Sequence, residues 1–452
     1  MAGPAQAKLP PGTRFQNATG ARQGVIDAFL GQGGQGSVYA VSLEGGSFAL
    51  KWYHDSYTQI DTGLRQRLTH AVHRGAPNSS FLWPLELVEI DGQQSFGYVM
   101  PVRGSEYRGM RDLIARPPER VELTLAQRFM ICCKLADSFL QLHAQGLCYQ
   151  DINFGNVFFN PATLDVLICD NDNVNVEGAD ASIYGTRKFM APEVVRRETL
   201  PNTKTDLFSM SVLFFYVVMG WHPLDGKREA DYAILNAEAE MSLYGTEPVF
   251  LFDPKNDANG PVTGMHDPLV TRWKGLPSDV RALFTRAFTA GLNDPSARVL
   301  ERQWRQTFMR AVHALFPCPS CGADQALEAG SDAATFPAAC TACGAPLPAP
   351  LYLDCRRGPF ALRDSHGLPT HMLTSSDPNF KSLVGFVEAH PKKPDMLGLR
   401  NLSDDSWKVQ LPDRDPGLLP PGKAIGLFDG SVIHTSQATC AVRTARPKET
   451  AT

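Results

Sequence analysis

The stretch Gly146-Leu-Cys-Tyr-Gln-Asp-Ile-Asn-Phe-Gly-Asn-Val-Phe-Phe159 places Asp151 and Asn156 in a short polar segment beside an apolar run. A second polar cluster, Asp170-Asn-Asp172, follows the next apolar run, Val166-Leu-Ile-Cys. Magnesium is a hard cation that takes oxygen ligands, so these carboxylates and amides predict a metal site. A polar turn held by Asx hydrogen bonds is the alternative, but it explains one such cluster better than two in succession.

A glycine-rich segment lies upstream, Phe29-Leu-Gly-Gln-Gly-Gly-Gln-Gly-Ser-Val-Tyr-Ala40, with the spacing G-x-G-x-x-G-x-V at Gly31, Gly33, Gly36 and Val38. Glycines let the backbone approach phosphates and direct N–H groups at them. The apolar run that follows reads as a strand, so the glycines are predicted to cap a hairpin and not to open a helix. Taken alone, the motif is equally compatible with a flexible turn.

A lysine ends the next apolar strand, Phe48-Ala-Leu-Lys51. In this place Lys51 is predicted to reach the α and β phosphates of a nucleotide. The alternative, a surface lysine that lays its stem on apolar neighbours, is less favoured because the lysine directly follows the glycine hairpin.

Two further strings extend the pattern. Gly185-Thr-Arg-Lys-Phe-Met-Ala-Pro-Glu193 resembles the G-T-x-x-[YF]-M-A-P-E segment of serine/threonine kinases, and the segment around Asp151 resembles H-R-D-x-x-x-x-N. Asp170 stands where that family has D-F-G. Asn293-Asp-Pro-Ser-Ala-Arg298 resembles its late D-P-x-x-R motif. Residues 24–314 therefore resemble the eukaryotic-like protein kinase superfamily, in its bacterial serine/threonine form.

This resemblance implies a bilobal α+β fold that binds ATP and Mg²⁺ and transfers phosphate to a protein substrate. It implies that Asp151 orients the acceptor hydroxyl, that Asn156 and Asp170 hold magnesium with Asp172 in reserve, and that Arg298 pairs with Glu193. It also adds Asn153 and Thr186 to the catalytic residues. The remaining nucleotide contacts that it implies are Val38, Ala49, Met100 as gatekeeper, the Pro101 carbonyl and the Arg103 N–H; an ordinary edge strand is the alternative for this hinge.

Because of three departures from the family pattern, a nucleotide-binding pseudokinase scaffold remains the alternative interpretation. Gln150 replaces the arginine that receives an activation-loop phosphate, so activity is predicted not to require phosphorylation at Ser182, Tyr184 or Thr186. Asn153 stands where the family has a lysine. Between Lys51 and Glu86 there is no glutamate, which leaves Gln66, Asp55 or Asp61 as candidate partners of the lysine.

Two C-x-x-C-G knuckles, Cys318–Cys321 and Cys340–Cys343, are separated by 18 residues, a spacing typical of a zinc ribbon. Paired knuckles without a thioredoxin-like context favour a closed, structural Zn²⁺ site over a redox dithiol. Residues 315–349 contain no Lys or Arg, so nucleic-acid binding is not expected and protein docking is favoured. A zinc-dependent interaction module with an accessory kinase domain is a third hypothesis.

The last hundred residues predict a small all-β, sandwich-like domain that faintly resembles forkhead-associated domains but lacks their Gly-Arg and Ser-x-x-His signature. A protein partner is predicted to bind through this domain or the ribbon. The predicted divisions are a flexible lead-in (1–23), a small lobe (24–103), a helical lobe (104–314), a zinc ribbon (315–349), a β-rich domain (350–443) and a tail (444–452).

Composition limits the remaining possibilities. The chain has 452 residues with a formal net charge of −4, which does not indicate a polyanion-binding protein. Its first residues show no signal-peptide pattern, and the apolar stretch Leu207–Trp221 is too short to span a bilayer. We therefore expect a cytoplasmic protein with no membrane contact, in which the paired cysteines bind metal and do not form disulfides.

Overall fold

The structure, a computed structural model, describes residues 8–176, 184–374 and 382–448. These residues form two compact units. The first unit comprises the chain up to residue 122, with 134–260 and 286–302; the second comprises 123–133, 261–285 and the chain from 303 onwards.

The helices of the described residues combine short connecting turns with a few long segments. They are α1 (Asp55–Ile60), α2 (Leu64–Arg74), α3 (Leu125–His143), α4 (Pro192–Val195), α5 (Thr203–Met219), α6 (Lys227–Ala230), α7 (Ala237–Met241), α8 (Asp267–Gly275), α9 (Ser278–Phe288), α10 (Ala290–Asn293) and α11 (Glu301–Ala314). Single 3₁₀ or π turns occupy Met110–Leu113, Asn171–Asn173, Arg187–Phe189, Ser242–Thr246, Pro295–Ala297 and Thr370–Met372.

A closed antiparallel sheet forms the small lobe of the first unit, in the order β1-β2-β3-β4-β6-β5. Its strands are β1 (Arg14–Asn17), β2 (Gln23–Gln32), β3 (Gly36–Leu43), β4 (Gly46–Tyr53), β5 (Glu86–Glu89) and β6 (Gly97–Pro101). Alternate side chains of these strands point inward, as the period-2 pattern requires. The buried core includes Phe15, Ile26, Leu50, Trp52 and Val99.

The predicted lead-in of residues 1–23 is wrong for its described part. Strand β1 pairs with both β2 and β5 and thereby closes the sheet. Phe15 is buried in the core, and Leu9 joins the same cluster. The Pro- and Gly-rich composition hid a short strand because its apolar residue is a single phenylalanine. Residues 1–7 lie outside the described part of the chain.

The rest of the first unit is helical around three small pairings of strands. These strands are β7 (Arg108–Gly109), β8 (Leu147–Cys148), β9 (Val157–Phe159), β10 (Val166–Ile168) and β11 (Asn175–Val176). Helix α5 begins at a capping box made by Asn202 and Thr205, and ends where Gly220 adopts a left-handed φ of 71°. It is buried on all sides, as its uninterrupted apolar pattern predicts. In the described residues, no helix has the length and apolar character needed to cross a membrane.

The second unit carries the cysteine knuckles and two antiparallel sheets. Strands β12 (Leu315–Pro317) and β13 (Asp324–Ala326) form the first knuckle hairpin, and β14 (Thr335–Phe336) follows. The remaining strands are β15 (Leu351–Cys355), β16 (Gly358–Ala361), β17 (His366–Pro369), β18 (Leu383–His390), β19 (Lys393–Asn401), β20 (Trp407–Gln410), β21 (Gly417–Leu419), β22 (Ala424–Gly426), β23 (Val432–His434), β24 (Thr439–Thr444) and β25 (Arg446–Pro447). A six-stranded sheet (β16-β15-β24-β23-β20-β21) and a four-stranded sheet (β17-β18-β19-β22) share one buried core that includes Phe360, Val387, Leu399, Trp407 and Ile433.

The predicted tail is in part a strand. Arg446 and Pro447 pair in parallel with Thr335 and Phe336 of the ribbon; residues 449–452 lie outside the described part. Within the predicted helical lobe, segments 123–133 and 261–285 group with the ribbon in the second unit. Phe129 stacks on Phe308 within the second unit, and Asp324 accepts a hydrogen bond from the Ala126 backbone at 2.9 Å.

Candidate active site

The glycine-rich segment forms the predicted hairpin between β2 and β3. Gly31 pairs with Val38, and the Gly33 N–H donates to the Gly36 carbonyl at 2.9 Å across the tip. A Cβ at Gly36 would lie 2.3 Å from the Trp52 carbonyl oxygen, so only glycine fits there. A Cβ at Gly31 or Gly33 would meet nothing within 4 Å, which leaves open space beside the tip.

Lys51 lies on the adjacent strand β4, opposite Val38 on one side and Tyr98 on the other. Its amino group is buried and contacts two carboxylates: Asp170 in a short ion pair, and Asp172 at 2.8 Å. The third contact is the Gln35 Oε1 from the hairpin tip, at 2.7 Å. Burial opposes the charge of Lys51, but Asp172 and Asp170 outweigh it and raise the lysine pKa above its usual value.

The two aspartates have different surroundings. The Asp172 side chain is 1% exposed, whereas the Asp170 side chain is 30% exposed. Asp172 also accepts hydrogen bonds from the Tyr53 hydroxyl and, at 3.4 Å, from the Tyr98 hydroxyl. Burial acts to raise the pKa of Asp172, but Lys51 and the Tyr53 hydrogen bond lower it below its usual value. Asp172 is therefore a buried, ionised carboxylate.

Asp151 lies at the centre of the loop between β8 and β9. Asn156 Nδ2 donates to the Asp151 carbonyl at 3.0 Å, and Asn153 Nδ2 donates to the same oxygen at 3.1 Å. Asn153 Oδ1 accepts the Gly155 N–H at 2.7 Å, so the Asn153 side chain holds the loop from within. The Asn156 carbonyl accepts the Cys169 N–H at 2.8 Å, which brings Asn156 next to the strand that leads into Asp170.

Asp206 at the start of α5 binds the backbone of the same loop. Its two carboxylate oxygens accept the backbone N–H groups of Tyr149 and Gln150, at 2.5 and 3.0 Å. Gln150 has a φ of 74°, a strained value for a residue other than glycine, and these two hydrogen bonds help to hold it. Tyr149, in place of the family histidine, donates its hydroxyl proton to the Cys169 carbonyl. Tyr149 thus ties the loop to the segment that leads into Asp170.

The segment from Gly185 to Glu193 contacts Asp151 at one end and Arg298 at the other. Thr186 Oγ1 donates to Asp151 Oδ1 at 2.9 Å. Gly185 has a φ of 96°, and a Cβ there would lie 2.8 Å from the Gln150 carbonyl, so glycine is required. Arg298 forms two parallel hydrogen bonds of 2.8 Å with the Glu193 carboxylate, which is the expected pair.

The predicted hinge lies at the end of β6. Met100 is buried opposite Ala49 of β4, and Pro101 is half-buried at the end of the strand. Arg103 is exposed; its guanidinium stacks over the Phe158 ring at 4.2 Å and donates to the Tyr107 carbonyl. These contacts join the hinge to strand β9, which follows Asn156.

A cleft of about 310 Å³ opens between the glycine hairpin, Lys51 and the loops that carry Asp151 and Asp170. Its lining comprises Gly33, Gly34, Gln35, Gly36, Val38, Lys51, Asp151, Asp170 and Asn173. The structure therefore brings the glycine hairpin, the lysine and two of the three predicted carboxylates to one cavity. Asp172 is absent from this lining, because its carboxylate is turned into the protein.

The four knuckle cysteines form a separate cluster within the second unit. The Cys318 and Cys343 sulfurs are 3.9 Å apart, and the Cys321 and Cys340 sulfurs are 3.7 Å apart. Four sulfurs at tetrahedral corners about 2.3 Å from a zinc ion would be about 3.8 Å apart. Gly322 and Gly344 adopt φ values of 74° and 73° and complete the two knuckle turns. The cluster thus fits zinc and is too open for disulfides.

Several contacts around Lys51 in the cleft were not predicted from the sequence. The candidates Gln66, Asp55 and Asp61 are not among the described partners of Lys51, and Asp61 instead pairs with Arg67. The carboxylate comes from Asp172, 121 residues from Lys51 along the chain. A signal was available: α2 contains no acidic residue, so an anion had to come from elsewhere. Gln35, Tyr53 and Tyr98 gave no local signal, because each acts through a contact made only in the folded chain.

Comparison with known proteins agrees with this geometry. Residues 93–272 match the family model described as "Protein kinase domain". The chain is 25% identical over 327 residues to "Protein kinase YegI" of Escherichia coli (strain K12), which covers 65% of this chain and 48% of that protein. It is 27% identical over 185 residues to "CBL-interacting protein kinase 4" of Oryza sativa subsp. japonica, covering 38% of this chain and 40% of the relative.

A third relative is "Ribosomal protein S6 kinase alpha-3" of Homo sapiens, 26% identical over 226 residues, covering 47% of this chain and 29% of that protein. The chain thus spans less than half the length of each of these relatives. Together the family match and the relatives show that the chain contains a protein kinase domain with α+β structure. The glycine hairpin and Lys51 precede the matched residues.

Proposed function

We propose that this chain transfers the γ-phosphate of Mg-ATP to a serine or threonine hydroxyl of a protein. One observation carries the proposal: Lys51, Asp151, Asp170 and the glycine hairpin line the same cleft. A lysine and two carboxylates are costly to bring together in a partly buried space, so their convergence points to a functional site.

The residues present fit ATP and magnesium. Open space beside Gly31 and Gly33 suits a phosphate chain approached by backbone N–H groups. Asp170 and the Asn156 amide oxygen are the proposed magnesium ligands, since both offer the hard oxygen atoms that this ion takes. When bound, magnesium would neutralise the developing charge on the phosphates. Lys51 would bind the α and β phosphates, and Met100, Pro101 and Arg103 would border the adenine.

Asp151 is the proposed acceptor-orienting residue. In the structure a threonine hydroxyl, that of Thr186, already donates to its carboxylate at 2.9 Å. A substrate serine or threonine would present the same chemical group to this carboxylate. Asp151 would accept the hydroxyl proton as the hydroxyl oxygen bonds to the γ-phosphorus and ADP leaves. Asn153 and Asn156 hold the Asp151 backbone in place for this step.

Specific observations favour a second candidate, a nucleotide-binding scaffold without transfer activity. Gln150 is buried and neutral, and its amide contacts only the Cys148 sulfur among described hydrogen-bond partners of the side chain. Asn153 supplies no positive charge to the γ-phosphate. These features weaken phosphate stabilisation without removing the base, the lysine or the metal ligands.

The second unit supports two further proposals. Cys318, Cys321, Cys340 and Cys343 would hold a structural Zn²⁺, since their ligand atoms all lie within 4.8 Å of one another. The two sheets that follow would form a sandwich-like domain that binds a protein partner. A forkhead-associated identity for this domain, and a cytoplasmic location for the chain, stay predictions.

The transfer proposal is tested with γ-labelled ATP and magnesium, using the chain itself and a generic basic protein as acceptors. We expect label on serine or threonine, and loss of label in Asp170→Ala. Label on tyrosine would contradict the proposed acceptor class. ATP binding without any label would instead favour the scaffold.

A further inference from the structure

We propose that Asp172 is the permanent counter-ion of Lys51, in the place of the helix carboxylate that related kinases use, so that Asp170 remains available to the metal. This inference rests on the proposed function for the roles of Lys51 and Asp170. The contacts of Asp172 are themselves independent of it.

Helix α2 excludes the usual arrangement. It runs from Leu64 to Arg74 and carries Arg65, Arg67, His70, His73 and Arg74, with no acidic residue. The nearby carboxylate Asp61 is already paired with Arg67. A cationic helix cannot hold a lysine ammonium, so the anion for Lys51 must come from another element.

Asp172 has the ion pair and the hydrogen bonds that a buried carboxylate needs. Its two oxygens lie 2.8 and 3.0 Å from Lys51 Nζ, and two tyrosine hydroxyls, of Tyr53 and Tyr98, donate to the same carboxylate. Buried carboxylates are stable only when paired and hydrogen-bonded, and Asp172 meets both conditions. Neither tyrosine faces the cleft, so their donors have no other evident use there.

The loop geometry separates the two aspartates. Asn171, fully buried between them, donates to the Leu82 and Ile168 carbonyls, each at 2.9 Å, and fixes the loop. Asp170, with a φ of 56°, then faces the cleft, while Asp172 faces the interior. Asp170 also pairs with Lys51 and accepts a hydrogen bond from Asn173 at 3.0 Å, but it lines the cleft, where a metal can reach it. Asp172 is enclosed by Lys51 and two tyrosines and does not line the cleft.

The third contact of Lys51 is of a different kind. Gln35 Oε1 is a neutral acceptor that lines the cleft, and its Nε2 donates to Asn173 at 3.0 Å and to Tyr57 at 3.1 Å. A charged phosphate oxygen is a stronger acceptor for an ammonium than an amide oxygen. Phosphate would therefore replace Gln35 at Lys51 and leave Asp172 in place. Placement of the lysine then needs no movement of α2.

The test is a double-mutant cycle in the full chain with Lys51→Met, Asp172→Asn and the double variant, read by melting temperature without nucleotide and by ADP affinity with magnesium. We expect Asp172→Asn to lower the melting temperature and to weaken ADP binding by about tenfold or more, because it neutralises the more deeply buried of the two carboxylates that pair with Lys51. In the Lys51→Met background the same change should alter ADP affinity by less than about twofold.

A magnesium titration separates the two aspartates. Asp170→Asn should raise the magnesium concentration needed for half-maximal ADP binding, whereas Asp172→Asn should leave it unchanged. If Asp172→Asn does not fold, recovery of folding in the double variant supports the ion pair, and Asp172→Glu supplies a charged variant for the titration.

Additive effects of the two single changes, or a magnesium shift in Asp172→Asn equal to that of Asp170→Asn, would overturn the proposal. A wild-type chain that binds no ADP would refute the proposed function. The melting-temperature cycle would still decide the role of Asp172.

Discussion

At the scale of single residues, the Thr186 hydroxyl is a hydrogen-bond donor to the Asp151 carboxylate. It donates to Asp151 Oδ1, and the adjacent Gly185 leaves no room for a Cβ against the Gln150 carbonyl. The threonine therefore orients the carboxylate from a backbone position that the neighbouring residues fix.

We predict that Thr186→Ala lowers kcat by about tenfold or more, the usual effect of losing a hydrogen bond to a charged group, with little change in KM for ATP. Thr186→Ser keeps the hydroxyl and should retain most of the activity. Tyr184→Phe is the control, since the exposed Tyr184 ring would still stack on Arg197. Steady-state phosphate transfer measures all three; equal losses in the serine and alanine variants would show that the hydroxyl is not the acting group.

The same variants bear on regulation by phosphorylation. Gln150 offers no guanidinium to a phosphate, so activity should not depend on phosphorylation of Tyr184 or Thr186; Ser182 lies outside the described residues. Wild-type protein treated with a phosphatase should keep its rate.

At this scale the sequence predicted residues whose chemistry is local to a motif. Lys51, Asp151, Asn156 and Asp170 were predicted because their spacing along the chain is itself informative, and Lys51, Asp151 and Asp170 line one cleft. The partner of Lys51 was not, because Asp172 reaches it through folding across 121 residues, and no spacing rule specifies such a contact. The absence of acid from α2 was the one indirect sign.

At the scale of helices and strands, a buried histidine joins three helices behind the active site. His143 ends α3 and lies between Asp206 of α5, at 3.1 Å, and Glu301 of α11 in a shorter contact. Burial acts against the imidazolium, but hydrogen bonds to Asp206 and Glu301 outweigh it and raise the His143 pKa to about 9. Asp206 in turn binds the Tyr149 and Gln150 backbone, so the ion cluster supports the loop that carries Asp151.

The raised pKa predicts that the free energy of unfolding of the first unit falls as the pH rises into the alkaline range. Because the folded value is about 9 and the ordinary value is 6.5, the contribution of His143 is complete below pH 6.5 and is lost as the pH rises through 9. We expect His143→Gln to lower the free energy of unfolding by about 2–3 kcal/mol at pH 6.5 and to flatten its dependence on pH over this range.

Denaturant unfolding at several pH values between 6.5 and 9 measures this effect. His73→Gln is a matched control on the exposed surface of α2. A wild-type stability that stays constant or rises over this range would show that His143 is not held as a cation.

The elements themselves followed from the sequence where a strong period or a turn residue marks them. Helix α5, the glycine hairpin and the two cysteine knuckles agree with their patterns. Strands β1 and β25 were missed, because each is short and gains its stability from partners far along the chain. Residues around Phe15 have no alternation long enough to predict a strand.

At the scale of the whole molecule, the chain contains two units with different chemistry. The candidate phosphate-transfer site lies wholly within the first, and the cysteine cluster lies wholly within the second. Segments 123–133 and 261–285, which lie inside the predicted helical lobe, group with the ribbon in the second unit. Phe129 and Phe308 stack there although 179 positions separate them, a contact that local composition cannot reveal.

Zinc removal should therefore affect the two units differently. We expect about one zinc per chain, released by a strong chelator with loss of stability of the second unit, since the ion would join the two knuckles of the ribbon. Cys321→Ser should lower the zinc content, and Ser320→Ala in the same knuckle is the control. Metal analysis and thermal unfolding measure both changes; a full complement of zinc in Cys321→Ser would contradict the site.

The most direct test of the central claim is the rate of label transfer from γ-labelled ATP, measured beside ADP affinity, for wild type, Asp151→Asn and the exposed control Asp91→Asn. The account predicts that Asp151→Asn loses transfer by about a hundredfold or more, as expected for removal of a general base, while its ADP affinity and that of Asp91→Asn stay at the wild-type value. Transfer by Asp151→Asn at the wild-type rate, or no transfer by a wild-type chain that binds ADP, would contradict it.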